Sequence, residues 1–140
     1  MSFNSLLLPL FVQVVLTLGL IFWTGFLRLQ AIRSGATRVH DIALGQSGWP
    51  EQATKVANAY HNQLQLPVLY YVLVALVLLV APATPGMVVL SWLFVLSRLF
   101  HALIHVTTNN VPRRFFVFLA GVAILTLMWL VFAATVFLGL

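Results

Sequence analysis

Polar and basic residues recur at helical spacing within strongly apolar parts of this chain. Residues three, four or seven positions apart return to the same face of a helix. Three such stripes are present: Gln13, Thr17, Thr24 and Arg28; Lys55, Asn58, Asn62 and Gln65, with His61 beside them; and Arg98, His101 and His105. Because polar and ionisable side chains are costly inside a bilayer, each stripe marks a candidate functional face.

The stripes consist mainly of hydrogen-bond donors and cations. Arg113 and Arg114 follow the third stripe, and all the striped residues except Gln13 and Thr17 lie toward one end of the predicted helices. We therefore expect the stripes to converge on one pocket that has several cationic donors and almost no acid to balance them. A pocket of this kind favours an anionic ligand.

Purely structural roles compete with this interpretation. Asn, Gln, Thr and His side chains also hold membrane helices together by hydrogen bonds, and this alternative stays open for Gln13, Asn58 and His61. Arg98 either extends its head toward the membrane interface or lies buried and faces Asn62 or Gln65.

A metal or haem site is a further alternative, because His101 and His105 are four residues apart and His61 could be a third ligand. No carboxylate or thiolate stands nearby in the sequence, and Arg98 and Arg114 would repel a cation. We therefore expect no metal.

Composition indicates the class of protein that carries these residues. Of the 140 residues, 62% are hydrophobic and only 6% are charged, with a net charge of +5 and no cysteine. Soluble domains carry about 25% charged residues. The composition therefore excludes a soluble globular domain, a disordered chain and a nucleic-acid-binding module, and the absence of cysteine excludes disulfides and thiolate sites. An integral membrane protein remains.

The apolar runs predict four membrane-spanning helices, each of which needs about 20 apolar residues. They cover residues 5–29, 50–80, 87–106 and 112–138 of a single domain, 1–140. Pro50 and Glu51 are typical of a helix start, and Pro67 should kink the second helix because it lacks an N–H. The predicted fold class is an all-α integral membrane four-helix bundle.

Basic residues predict the orientation of the bundle. Arg33, Arg38 and Lys55 flank the first loop and Arg113 and Arg114 the third, whereas both termini and the second loop carry no charged side chain. The positive-inside rule then places loops 30–49 and 106–112 in the cytoplasm and both termini outside.

Two segments carry a resemblance to a known family. The segments KVANAYHNQLQLPVLYY and SRLFHALIHVTTNNVPRRFFVFLAG resemble the MAPEG family, the membrane-associated proteins in eicosanoid and glutathione metabolism. The resemblance implies four transmembrane helices in a homotrimer, with glutathione bound between adjacent subunits near the cytoplasmic side. Bacterial-type members look most similar, which implies a bacterial inner membrane.

The family pattern transfers to individual positions. Asn62 matches the family's Asn on the second helix, His101 matches the His of its Arg-x-x-His motif, and Pro67 roughly matches its Pro. Arg114, thirteen residues after His101, matches the Arg that stabilises the glutathione thiolate. Arg28 resembles a basic residue at the end of the first helix.

Four positions depart from the pattern. Gln65 stands where the family has Glu, and His105 stands where several members have Tyr. Phe115 and Phe118 replace polar residues of some glutathione-using members. The change from Glu to Gln removes a partner for a ligand ammonium group.

The resemblance implies a membrane-bound glutathione-dependent transferase or peroxidase-like enzyme. Glutathione would be the co-substrate, and a lipophilic electrophile would enter from the surrounding lipids. Arg114 would stabilise the thiolate, and the expected ligand-binding residues are Arg28, Asn58, Asn62, Gln65, Arg98, His101 and His105. The alternative is a non-catalytic membrane protein that binds an anionic lipid or metabolite or regulates a partner.

Overall fold

The computed structural model describes residues 5–43, 48–80 and 83–139, which are helical with connecting turns. The helices are α1 (Leu7–Arg33), α2 (Glu51–Asn62), α3 (Leu66–Val80), α4 (Pro85–Val106) and α5 (Val111–Leu138), and a short 3-10 turn covers Val39–Ile42. Within these described residues, four segments are long and apolar enough to cross a membrane, with α2 and α3 counted together as Glu51–Val80. The predicted all-helical bundle with four spans is confirmed.

Two helix boundaries differ from the prediction. α1 continues to Arg33 rather than ending at residue 29, and the backbone turns away at Gly35, whose φ is +75°. α4 begins at Pro85 rather than at residue 87, because Pro85 occupies the first turn and the Thr84 side chain accepts a hydrogen bond from the Met87 N–H at 3.2 Å. Proline is well suited to the first turn, where its missing N–H costs nothing.

The second predicted helix, over 50–80 with a kink at Pro67, is one span in the structure but is divided into α2 and α3. The helix is interrupted at residues 63–65, where the N–H groups of Gln63, Leu64 and Gln65 bond to carbonyls three residues back at 2.9, 3.1 and 3.4 Å. Pro67 explains the interruption, because it has no N–H for the Gln63 carbonyl and its ring clashes with that group. The expected kink is therefore a break between α2 and α3.

α4 is the central helix and contacts α1, α2 and α5. The largest apolar cluster joins α3, α4 and α5 through buried side chains that include Leu73, Phe94, Val95, Leu125 and Met128. Because the helices alternate in direction, the end of α4 meets the start of α2, where Gln52 Nε2 donates to the Val106 carbonyl at 3.1 Å. This end of the bundle also holds the start of α5 and the end of α1.

A buried amide pair ties α1 to the interruption of the second span. Gln13 Nε2 donates to Gln63 Oε1 at 2.9 Å, and Gln63 Nε2 donates to the Ala59 carbonyl at 3.1 Å. Both glutamines are fully buried. Of the two roles left open for Gln13, the structure therefore supports the interhelical hydrogen bond.

Candidate functional site

An open cleft of about 510 Å³ lies between α2, α4 and α5 near the end where α4 finishes and α5 begins. It contains six of the eight residues expected in the site. Its lining comprises Asn58, His61, Asn62, Gln65, His101, His105, Val111, Arg114, Phe115 and Phe118. The polar stripes of the second and third spans thus do converge.

The connection between α4 and α5 aims Arg114 into the cleft. Asn109 adopts a left-handed backbone with φ of +50°, and its N–H donates to the Ile104 carbonyl at 2.7 Å at the end of α4. Asn110 then caps α5 by accepting from the Arg113 N–H at 3.0 Å. Arg114 therefore lies in the first turn of α5, and its Nη1 donates to Asn109 Oδ1.

A line of polar contacts crosses the cleft from α5 to α2. Arg114 Nη1 lies 3.4 Å from His105 Nδ1, and His105 Nε2 lies 3.1 Å from Asn62 Nδ2. Asn62 Nδ2 also donates to the Asn58 carbonyl one turn earlier, at 2.9 Å. The His101 ring packs edge-on against His105 with the ring centres 5.0 Å apart. Cleft residues from three helices are thus held in fixed orientations.

The cleft has an excess of positive charge and of hydrogen-bond donors. The chain has two acidic residues, and both lie elsewhere: Asp41 is 3.8 Å from His40, and Glu51 is 2.5 Å from Lys55. Lys55, which shares the α2 stripe, is therefore engaged outside the cleft. An anion is the ligand that complements this lining.

Arg98 is placed differently from the prediction. Its side chain is 0% exposed and faces α5, where Nη2 donates to the Val117 carbonyl at 3.3 Å. It neither faces Asn62 or Gln65 nor reaches the membrane interface. The reason is Gly121, whose missing side chain leaves room for the guanidinium against α5.

Arg98 consequently lies behind the cleft wall rather than in the cleft. Its Cζ is 5.5 Å from the centre of the Phe118 ring, which lines the cleft, and 5.7 Å from that of Phe94. Within the described part of the chain, its Nη1 has no hydrogen-bond partner. Ligand contact by Arg98 would require Phe118 to move.

Arg28 lies in a side pocket next to the cleft. Its guanidinium carbon is 4.8 Å from the centre of the Trp49 ring. The pocket has a volume of about 40 Å³ and shares Asn58 and His61 with the cleft. Arg28 is thus a neighbour of the cleft and not part of its lining.

Sequence reasoning missed Asn109 and Trp49. The Asn-Asn-Val-Pro segment does carry a signal for Asn109, because asparagine tolerates the left-handed conformation and often ends or caps helices. Trp49 carries no comparable signal, since its contact with Arg28 depends on how the first loop folds back.

The histidines of the cleft do not form a metal-binding group with a third ligand among the residues that the structure describes. No three His, Asp or Glu side chains come together there. The His101 and His105 rings are adjacent, but the Arg114 guanidinium lies against His105.

The whole cleft lies within the region that matches a family model. The model for the MAPEG family matches residues 6–134. This chain belongs to the MAPEG family. The resemblance carried by the two segments is therefore confirmed, and the chain is an integral membrane protein.

MAPEG proteins include glutathione-dependent transferases and peroxidases as well as members with other roles. Searches among curated proteins and among solved structures gave no match.

Proposed function

We propose that this MAPEG protein is a membrane-bound glutathione-dependent transferase or peroxidase-like enzyme that acts on a lipophilic electrophile. The observation that carries the proposal is the position of Arg114, a cation at the edge of an acid-free, donor-rich cleft. Six of the eight residues expected in the site line this cleft, and the other two, Arg28 and Arg98, lie beside and behind it.

Arg114 would act on the thiol of glutathione. A cysteine-type thiol has a pKa of about 8.5, so at neutral pH most of it is protonated, whereas the thiolate is the nucleophile. A guanidinium within hydrogen-bond distance stabilises the thiolate by charge and by donation. Asn109 holds one edge of the guanidinium, so the group is already oriented before the ligand arrives.

The α2 wall would orient the peptide part of glutathione. Asn58, Asn62 and Gln65 present amides along this wall, and His101 lies on the α4 side. The Gln65 side-chain carbonyl can accept from the ligand ammonium group, though without the charge that a glutamate would supply. Arg28, in the adjoining pocket, would meet a carboxylate.

The α5 wall would receive the electrophile. Val111, Phe115 and Phe118 make this side of the cleft apolar, and Phe115 is 58% exposed. The neighbouring Phe116 and Leu119 are also exposed. We propose that this surface faces hydrocarbon in the bilayer, so that a lipophilic substrate approaches the thiolate from the lipid.

A non-catalytic role is the second candidate. The same apolar wall beside Arg114 suits an amphiphile whose anionic headgroup binds the cation while its chain lies along Phe115 and Phe118. The protein would then bind an anionic lipid or metabolite, or regulate a partner, without forming a thiolate.

We further propose a homotrimer in a bacterial inner membrane, with the cleft end facing the cytoplasm. The family resemblance supports the trimer. The exposed side chains of Arg33, Arg38 and Arg113, all at the cleft end of the bundle, support the orientation by the positive-inside rule.

The decisive experiment titrates the detergent-purified protein with glutathione and follows thiolate absorbance in the ultraviolet. Arg114→Ala removes the proposed group, and Arg113→Ala is the matched control because this neighbouring arginine is exposed outside the cleft. We expect a saturable thiolate signal in the wild type and in Arg113→Ala, and its loss in Arg114→Ala.

Two other results would support a different function for the cleft. Glutathione binding without thiolate would indicate a binding role without transferase chemistry. No glutathione binding would favour the amphiphile, and the lipids that co-purify with the protein would then be identified.

A further inference from the structure

The polar line across the cleft contains one hydrogen-bond donor too many. Asn62 Nδ2 and Arg114 Nη1 approach the two ring nitrogens of His105, at 3.1 and 3.4 Å. An amide nitrogen and a guanidinium donate but cannot accept. A neutral imidazole has one donor nitrogen and one acceptor nitrogen, so only one of the two contacts is a hydrogen bond.

The geometry identifies the bonded contact. The Asn62 amide is fixed because Nδ2 donates to the Asn58 carbonyl at 2.9 Å, and turning the amide over would place two oxygens against each other. The Asn62–His105 distance lies within the usual range of about 2.7–3.2 Å, and the Arg114–His105 distance lies outside it. Nε2 of His105 therefore accepts from Asn62, and Nδ1 carries the proton.

Two donors consequently meet on the α5 side of the ring. The Nδ1–H of His105 and the Arg114 guanidinium face each other, and the other described contact of Arg114 Nη1 is with Asn109. The His105 side chain is held in place, since it is only 4% exposed and the His101 ring packs against it. An anion that accepts from both groups would satisfy them together.

We propose that His105, held as the Nδ1–H tautomer by Asn62, is the second donor, beside Arg114, to the anionic sulfur of bound glutathione. This inference rests on the proposed function. The thiol proton leaves to water at the open mouth of the cleft, and the sulfur retains its electron pair and accepts both hydrogen bonds. His105 keeps its own proton throughout, so Asn62 is a positioning residue that acts through the ring.

Two substitutions of His105 separate the roles of its nitrogens. In His105→Asn the amide nitrogen can occupy the place of Nδ1, so a donor toward Arg114 is retained. In His105→Gln the longer side chain brings its amide to the place of Nε2, so contact with Asn62 is retained and the donor toward Arg114 is lost. His40→Gln is the matched control, because His40 is fully exposed and does not line the cleft.

The tautomer is tested first, without glutathione. Protein with 15N-labelled histidine is examined by NMR in detergent micelles, and the His105 signals are assigned by their loss in His105→Asn. We expect the Nδ1–H tautomer in the wild type and a mixture of tautomers in Asn62→Leu. An Nε2–H tautomer or a doubly protonated ring in the wild type would overturn the proposal.

The thiolate assay is the second test. We expect His105→Gln to weaken thiolate formation about ten- to a hundredfold, the effect of one hydrogen bond to a charged group. His105→Asn should recover most of the signal, and His40→Gln should match the wild type. A wild-type thiolate signal that persists in His105→Gln overturns this inference alone. An absence of thiolate in the wild type overturns the proposed function as well.

Discussion

Gly121 on α5 is the position where one added methyl group meets a buried charge. A Cβ at this position would lie 2.9 Å from Arg98 Cζ and 2.9 Å from Ser97 Oγ. Favourable contacts between carbon atoms are about 3.5–4.0 Å, so the guanidinium would have to retreat by about 0.6 Å or more. It has little room to do so, because Arg98 is fully enclosed between Phe94 and Phe118.

The expected cost of Gly121→Ala follows from these contacts. A forced methyl group in a packed interior costs about 1–3 kcal/mol, and a lost hydrogen bond to a charged group costs about 1.5–3 kcal/mol. The two costs overlap, because the movement of the guanidinium that relieves the clash also weakens its hydrogen bond to the Val117 carbonyl. We therefore take about 2–4 kcal/mol for the clash and the weakened bond together. Alanine gains about 1 kcal/mol in helix propensity. The net expectation is a destabilisation of about 1–3 kcal/mol.

Thermal unfolding in detergent measures this effect. Gly86→Ala is the matched control, since a Cβ at this helical glycine would have nothing within 4 Å. Arg98→Met removes the charged head, and a double-mutant cycle with Gly121→Ala isolates the clash. We expect Gly121→Ala to cost at least about 1 kcal/mol less in the Arg98→Met background. Equal costs in both backgrounds, or a Gly121→Ala protein as stable as the wild type, would refute the reasoning.

Three further predictions concern hydrogen bonds seen in the structure. Asn109→Gly keeps the left-handed backbone but frees the Arg114 guanidinium. Glutathione titration should then show weaker thiolate formation, with unchanged thermal stability. Unchanged thiolate formation would exclude a positioning role for Asn109. Gln13→Leu leaves Gln63 Oε1 without its donor and should cost about 1–3 kcal/mol in thermal unfolding. Adding Gln63→Leu should not restore the stability in full, because the Ala59 carbonyl then loses its donor; a Gln13→Leu protein as stable as the wild type would contradict this account. Asn110→Ala removes the cap of α5 and should cost about 1 kcal/mol by the same measurement, whereas Asn110→Asp should stay near the wild type.

Local rules predict much of the bundle. Runs of apolar residues must cross the membrane as helices because only internal bonding satisfies the backbone there. Pro67 removes one backbone hydrogen bond regardless of how the helix packs. An irregularity in the second span was therefore predictable, but its form, an interruption at residues 63–65, was not. The convergence of Asn62, His105 and Arg114 was predictable as well, because helical periodicity places polar residues on common faces.

The position of the Arg98 side chain could not be predicted by local rules. Its place on the α4 stripe is a matter of spacing, but whether an arginine enters the cleft depends on the helix opposite. Gly121 lies 23 positions further along the chain, and only the packing of α5 on α4 brings its open space to the guanidinium. The side pocket of Arg28 likewise depends on how the first loop carries Trp49 back to α1.

The sequence predicts the class of molecule, the four spans and six of the ten residues that line the cleft, and its resemblance to a known family predicts the family. The first three follow from composition, from periodicity or from spacing along the chain, whereas the family follows from the resemblance of two segments to its motifs. The packing of the helices places Arg98 behind Phe118, Asn109 against Arg114, and His105 between two donors. These are distances and hydrogen-bond directions between side chains on different segments, and they exist only when the helices are packed.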